Sequence, residues 1–232
     1  MHLKELPMSA PRLSDRLLDQ TRDIRARILD HPFVRGIGTG DLPLDGFRFY
    51  VRQDYRYLIE YSRVLALGAA RARDIALMEL FASLTNATLT VEMELHRGFC
   101  ERLGITRADL EATPIAPTTH AYTNHLLTTA YMSSATELMA ALLPCQWGYW
   151  EIGRHLAARG LPEHQPLYAE WIMMYAGDDY ATLARKLLDT FDRVATNSTT
   201  RDIEHIADVF VTSSRYEMAF WEMAYRQEQW PV

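Results

Sequence analysis

At 232 residues, with 48% hydrophobic and 23% charged side chains, the chain is long enough for one substantial core. Its net charge of −6 argues against nucleic acid or an anionic membrane as the main partner. Cys100 and Cys145 are too few for a disulfide framework, no run reaches the ~18 apolar residues of a membrane span, and no apolar leader opens the chain; these features predict a soluble, cytoplasmic protein.

Nearly the whole chain reads as helix. Residues 1–10 are expected to be a flexible segment at the head of a single domain spanning 1–232. Pro11 to Leu29 sets Leu13, Leu17, Thr21, Ile24 and Ile28 along one helical side, and His31-Pro32 closes it. His31 to Leu44 reads as a loop with Gly36, Gly38 and Gly40. Without a preceding strand or a following G-K-[ST], its G-x-G-x-G is no phosphate loop. Asp45 should cap a helix over about 46–73 whose stripe is Phe47, Tyr50, Asp54, Tyr57, Tyr61, Leu65 and Gly68. Asp54 is out of place there, because a carboxylate among aromatics costs several kcal/mol unless something donates to it.

Asp74 to Leu103 reads as one long helix near the centre, with Glu92, Glu94 and His96 in its second half. Glu92 and His96 are four apart, most simply a surface pair or a core contact. Thr106 to Pro117 connects to a helix over Thr118 to Met132 that carries Tyr122, Leu126 and Thr129 on a shared face. Ser134 and Glu137 form a capping box for the next helix, which Gly160 ends. Its stripe is Leu138, Leu142, Cys145, Tyr149, Ile152 and Leu156, with a kink expected at Pro144. A lone buried cysteine is usually a small hydrophobe. Leu167 to Ala176 aligns Tyr168, Ile172 and Tyr175, and Asp179 to Ala195 aligns Leu183, Leu187, Phe191 and Val194. Thr199-x-x-Asp202 opens the last helix, to about Glu228, with Ile203, Ile206, Phe210, Ser213, Glu217, Phe220 and Ala224 as its stripe. The fold class is therefore all-α, a single helical bundle.

Asp54, Cys145 and Glu217 are three polar residues on inward stripes of three helices. With Tyr57, Tyr122, Tyr149 and Tyr175 they suggest an aromatic-walled polar pocket. Aromatic faces stack on flat heterocycles, carboxylates bond ring nitrogens, and a thiolate adds to electron-poor ring carbons. Two other function classes compete. A di-iron bundle needs Glu-x-x-His pairs, which are absent, but a haem- or iron-binding oxidase needs only one histidine, and His31, His96 and His125 all remain open to it. A non-catalytic binding module would use Phe220, Trp221, Tyr225 and Trp230 as a contact surface.

Five segments carry a family resemblance: residues 31–58 (HPFVRGIGTGDLPLDGFRFYVRQDYRYL), 120–126 (HAYTNHL), 142–153 (LLPCQWGYWEIG), 175–180 (YAGDDY) and 197–230. They resemble the TenA/thiaminase II proteins, aminopyrimidine aminohydrolases of the haem oxygenase-like helical fold. The resemblance implies that Cys145 is the catalytic nucleophile and Glu217 the acid/base. It implies that Asp54 holds the pyrimidine amino group and ring nitrogen, and that Tyr57, Tyr122, Tyr149 and Tyr175 line the pocket. The implied reaction is hydrolysis of 4-amino-5-aminomethyl-2-methylpyrimidine, or of thiamine, to hydroxymethylpyrimidine in thiamine salvage. The implied protein is a cytoplasmic homotetramer with no cofactor and no metal. Gln146, Gly148 and Ala176 depart from the family pattern, and bear on substrate choice more than on reaction type. The same fold hosts a cofactor-free oxidase, which stays as an alternative.

Overall fold

The computed structural model describes residues 11–231, so the flexible segment expected at 1–10 lies outside the described residues. No strand occurs among the described residues. Twelve helices follow one another: α1 (Leu13–Gln20), α2 (Arg22–Leu29), α3 (Pro32–Thr39), α4 (Leu44–Arg71), α5 (Ile75–Ala87), α6 (Met93–Arg102), α7 (Arg107–Glu111), α8 (Pro117–Met132), α9 (Ala135–Ala157), α10 (Pro166–Ala176), α11 (Asp178–Ala195) and α12 (Thr200–Arg226). A single π-helical turn, Thr88–Glu92, joins α5 to α6.

Helix α9 is the hub, packing on α10, α11 and α12, while α4 packs on α5 and α8. The stripes read from the sequence are the faces that carry this packing. Every member of the α4 stripe, Asp54 included, is buried, as is every member of the α9 stripe. Burying a large apolar side chain stabilises by roughly 1.5–3 kcal/mol, so these two faces fix the bundle more strongly than helix propensity does. At the α9–α10 crossing, a Cβ on Gly153 would stand 2.6 Å from the Ala176 amide nitrogen. Only glycine allows the two backbones this close.

Several expectations need correcting. The helix over 11–29 breaks at Thr21, whose hydroxyl bonds back to the Leu17 carbonyl at 3.0 Å, an alternative to regular helix that bends the chain. Residues 32–39 are helix, not loop. His31 accepts from the Phe33 amide and Pro32 occupies the first turn. Burial of Phe33, Val34 and Ile37 outweighs the glycines, and Gly40 ends the helix at φ 81°. Helix α4 starts one residue before Asp45, which pairs with Arg48 within the first turn instead of capping it. Residues 107–111 of the expected connection form α7. Pro144 lies buried inside α9, which continues from Ala135 to Ala157 across it. The capping boxes at Ser134/Glu137 and Thr199/Asp202 are both present.

Candidate active site

Helix α4 presents Tyr50, Asp54, Tyr57 and Tyr61 inward at steps of four, three and four, so one face of one helix spans the whole centre. Cys145 and Tyr149 face it from α9, Glu217 from α12, Tyr122 from α8 and Tyr175 from α10. All seven residues singled out in the sequence are buried, Asp54 at 2% exposure, Glu217 at 5% and Cys145 at 8%.

They divide into two halves. In the first, the Cys145 thiol faces Glu217 and Tyr57. The Tyr122 hydroxyl donates to Glu217 Oε1 at 2.6 Å. Tyr57 lies between the rings of Tyr61 and Tyr122, at 5.5 and 5.2 Å, and its hydroxyl has no well-aligned hydrogen-bond partner. In the second half, Asp54 Oδ2 lies 2.5 Å from His96 Nε2 and 3.4 Å from the Tyr50 hydroxyl. The His96 contact is off the N–H axis, hence an ion pair more than a directed bond. Its other nitrogen, Nδ1, lies 2.9 Å from the Glu92 carbonyl oxygen. The Tyr175 hydroxyl donates to Glu92 Oε1 at 2.9 Å, and Tyr149 bridges toward Tyr50 at 3.4 Å. Tyr149 and Tyr175 therefore belong to the Asp54 side, with their rings 4.7 Å apart.

Electrostatics follow from burial. Desolvation pushes Glu217 up to about 7, against the Tyr122 hydrogen bond, which favours its carboxylate. Burial lifts Glu92 to about 7 as well, helped by the charge on Asp54 and opposed by His96. Burial pushes the Cys145 thiol well above its ordinary value, and the nearby Glu217 charge adds to this. For His96 burial works against the charged form, but Asp54 and then Glu92 outweigh it, so its affinity for the proton rises. The centre thus holds a thiol that keeps its proton, a Glu217 poised near neutrality, and a His96 whose hold on its proton is strengthened beside Asp54. Such a set can move a proton between sulfur, carboxyl and a bound base.

The sequence reading names Glu92, His96, Tyr50 and Tyr61 but does not place them in the pyrimidine pocket. Of the two readings of Glu92/His96, surface pair or core contact, the structure shows the core contact: His96 is fully buried beside Asp54, and Glu92 holds the Tyr175 hydroxyl. The available signal was a histidine in step with the apolar Met93, Phe99 and Cys100. Of the three histidines left open for a cofactor, His31 is bonded to Glu222 at 3.0 Å and His125 to Ser213 at 2.9 Å, so only His96 reaches the centre. The aromatic contact surface is also corrected. Phe220 and Trp221 are core, and only Tyr225 and Trp230 are exposed. Gln146 is buried and accepts from Tyr61 at 3.4 Å, while Gly148 borders a narrow slot that reaches Glu217.

Comparison with known proteins agrees with this architecture. The chain is 44% identical over 203 residues to an aminopyrimidine aminohydrolase of Halalkalibacterium halodurans, covering 87% of this chain and 90% of that one. It is 42% identical over 200 residues to an aminopyrimidine aminohydrolase of Bacillus subtilis, covering 86% and 84%. A solved TenA homologue from P. horikoshii OT3 superposes with a TM-score of 0.85 at 33% identity, over 93% of this chain and 99% of that one. Residues 18–227 match the TENA/THI-4/PQQC family, and the chain belongs to that family.

Proposed function

We propose that this protein is a hydrolase acting on C–N bonds, cleaving the methylene–nitrogen bond of an aminopyrimidine by covalent catalysis at Cys145. The relatives named above are aminohydrolases of this substrate class. The observation that carries the residue assignment is the meeting of a buried thiol with two buried acids from three separate helices. A pyrimidine ring fits this set: Asp54 takes the amino group and one ring nitrogen, and Glu217 faces the other. Tyr57, Tyr122, Tyr149 and Tyr175 supply ring faces and hydroxyls around it.

In the proposed sequence, the Cys145 proton passes to Glu217 and from there to the ring nitrogen while sulfur adds to a ring carbon. Addition breaks the aromatic system, and its electron pair expels the leaving group from the methylene. Water then adds to the exocyclic alkene and the thiolate departs, restoring aromaticity and regaining its proton through Glu217. With the aminomethyl substrate the balance is R-CH2-NH3+ and water going to R-CH2-OH and ammonium. Glu217 near pKa 7 suits both proton donation and acceptance. As part of the same proposal the protein is one domain, acts in the cytoplasm in thiamine salvage, and forms a homo-oligomer.

The test is incubation of purified protein with 4-amino-5-aminomethyl-2-methylpyrimidine and, separately, with thiamine, following hydroxymethylpyrimidine by chromatography. Release from at least one is expected. No product from either overturns the proposal.

A further inference from the structure

Glu217 sits at the inner end of the narrow slot between α2, α9 and α12, which runs out to Arg25 and Glu151, both partly exposed. We propose that this slot holds one water and is the route by which Glu217 returns a proton to solvent in each turnover. The inference rests on the aminopyrimidine reading and adds to it the residues that reset the acid/base.

The proposed reaction needs such a route. Glu217 starts as a carboxylate, takes the Cys145 proton, lends it to the ring nitrogen and gives it back when the thiolate departs. The water that adds to the exocyclic alkene leaves one further proton behind. The amine departs as NH3 and takes up its proton in solution, so the site must shed one proton for the overall balance to close. Around Glu217 the Cys145 thiol and the Tyr57 and Tyr122 hydroxyls all hold their protons, pushed up chiefly by burial. All three are buried, and none of them leads the proton outward.

The slot has the size and the lining for a water. Its volume is about 20 Å³, and one water requires roughly 10–15 Å³. Trp221 lines it, is fully buried, and its Nε1 has no hydrogen-bond partner among the described residues. Arg25 Nε is likewise buried and unpartnered, although the terminal nitrogens of the same guanidinium hold Glu151 and the Leu18 carbonyl. Two orphaned donors on a slot that ends at a carboxylate are the set that a bridging water satisfies, accepting from the indole and donating to Glu217.

Helix α9 leaves this space open at Gly148. Inside a helix glycine costs about 1 kcal/mol against alanine. Gly153 of the same helix is required by the close α10 backbone, but a Cβ on Gly148 would meet nothing within 4 Å. Nor does Gly148 have a positive φ. Neither packing nor backbone angle accounts for this glycine, whereas the slot that it borders does.

A crystal structure of the purified protein should show a water in the slot within hydrogen-bond distance of Trp221 Nε1 and of Glu217. Gly148→Leu fills the slot. It should lower kcat on the aminomethylpyrimidine about tenfold, leave KM within about twofold, and raise the solvent deuterium isotope effect on kcat as proton return becomes limiting. Glu151→Gln keeps the shape of the outer end but removes its charge, and should lower kcat about threefold with the same rise in isotope effect. Wild-type kcat and isotope effect in both variants would assign proton return to the substrate entrance and overturn the inference. So would a loss of activity that comes with a shifted thermal midpoint and KM but an unchanged isotope effect, which is what a merely structural role predicts. A dry slot in a wild type that turns over also overturns it, and leaves the aminopyrimidine reading standing. A wild type that releases no hydroxymethylpyrimidine from either substrate overturns that reading instead, and the proton route with it.

Discussion

His96 Nε2 stands 2.5 Å from Asp54 Oδ2, and neither side chain reaches solvent. Removing one partner of such a pair leaves an uncompensated buried charge, at a cost of about 3–5 kcal/mol. His96→Gln keeps some hydrogen-bonding capacity, so a loss near 3 kcal/mol in urea unfolding is expected. The sign with pH follows from the raised affinity of His96 for its proton. Its contribution is complete below the unfolded value of about 6.5 and fades as pH climbs through the folded one. The gap between wild type and His96→Gln should therefore be wider at pH 6 than at pH 9. A constant gap would mean the pair is neutral in the native protein.

Cys145→Ser should lower turnover by about a thousandfold or more, because a serine hydroxyl is far harder to ionise in the same buried setting. The side chain is small and fills nearly the same volume, so the thermal midpoint should move by only a few degrees. Turnover within tenfold of wild type would remove sulfur from the chemistry.

Glu217 with a pKa of about 7 predicts that kcat/KM falls as pH drops below neutrality, because its carboxylate must take the Cys145 proton. Tyr122 donates to its carboxylate at 2.6 Å and so holds that value down. Tyr122→Phe should move the acid limb of the profile to higher pH while lowering the maximal rate. A limb that stays put in Tyr122→Phe, or survives in Glu217→Gln, assigns it to another group. The same burial affects folding. Stability should decline as pH rises from about 4.5 to about 7, since the native state favours protonated Glu217, and Glu217→Gln should flatten this decline.

Gly153→Ala should cost roughly 1–3 kcal/mol, because its methyl would press on the α10 backbone at Tyr175 and Ala176. As Tyr175 holds Glu92, activity should fall together with stability. Chemical denaturation alongside steady-state kinetics would show whether the two move in step.

Much of the bundle was legible because its long helices bury a single stripe each. The α4 and α9 stripes gave Asp54 and Cys145 as polar residues facing inward, and α12 gave Glu217. Short elements were less legible. Residues 32–39 are glycine-rich and helical only because Phe33, Val34 and Ile37 find a core to enter. The second half of the site was hidden for a different reason. Glu92 and His96 sit on a helix that is apolar over much of its circumference, so no stripe marks its inner face. Their regular spacing of four is also what a surface pair would show. Only the fold reveals that Asp54, 42 positions before His96 in the sequence, is the charge between them.

The π-helical turn at Thr88–Glu92 adds one residue to the helical winding between α5 and α6. Deleting a single residue there would return the segment to α-helical phase and swing one flank against the other by about 100°. With α5 anchored through Leu80, Phe81 and Leu84, it is His96 that would rotate away from α4. One codon at this winding defect thus decides whether the protein keeps a charged partner for its central carboxylate.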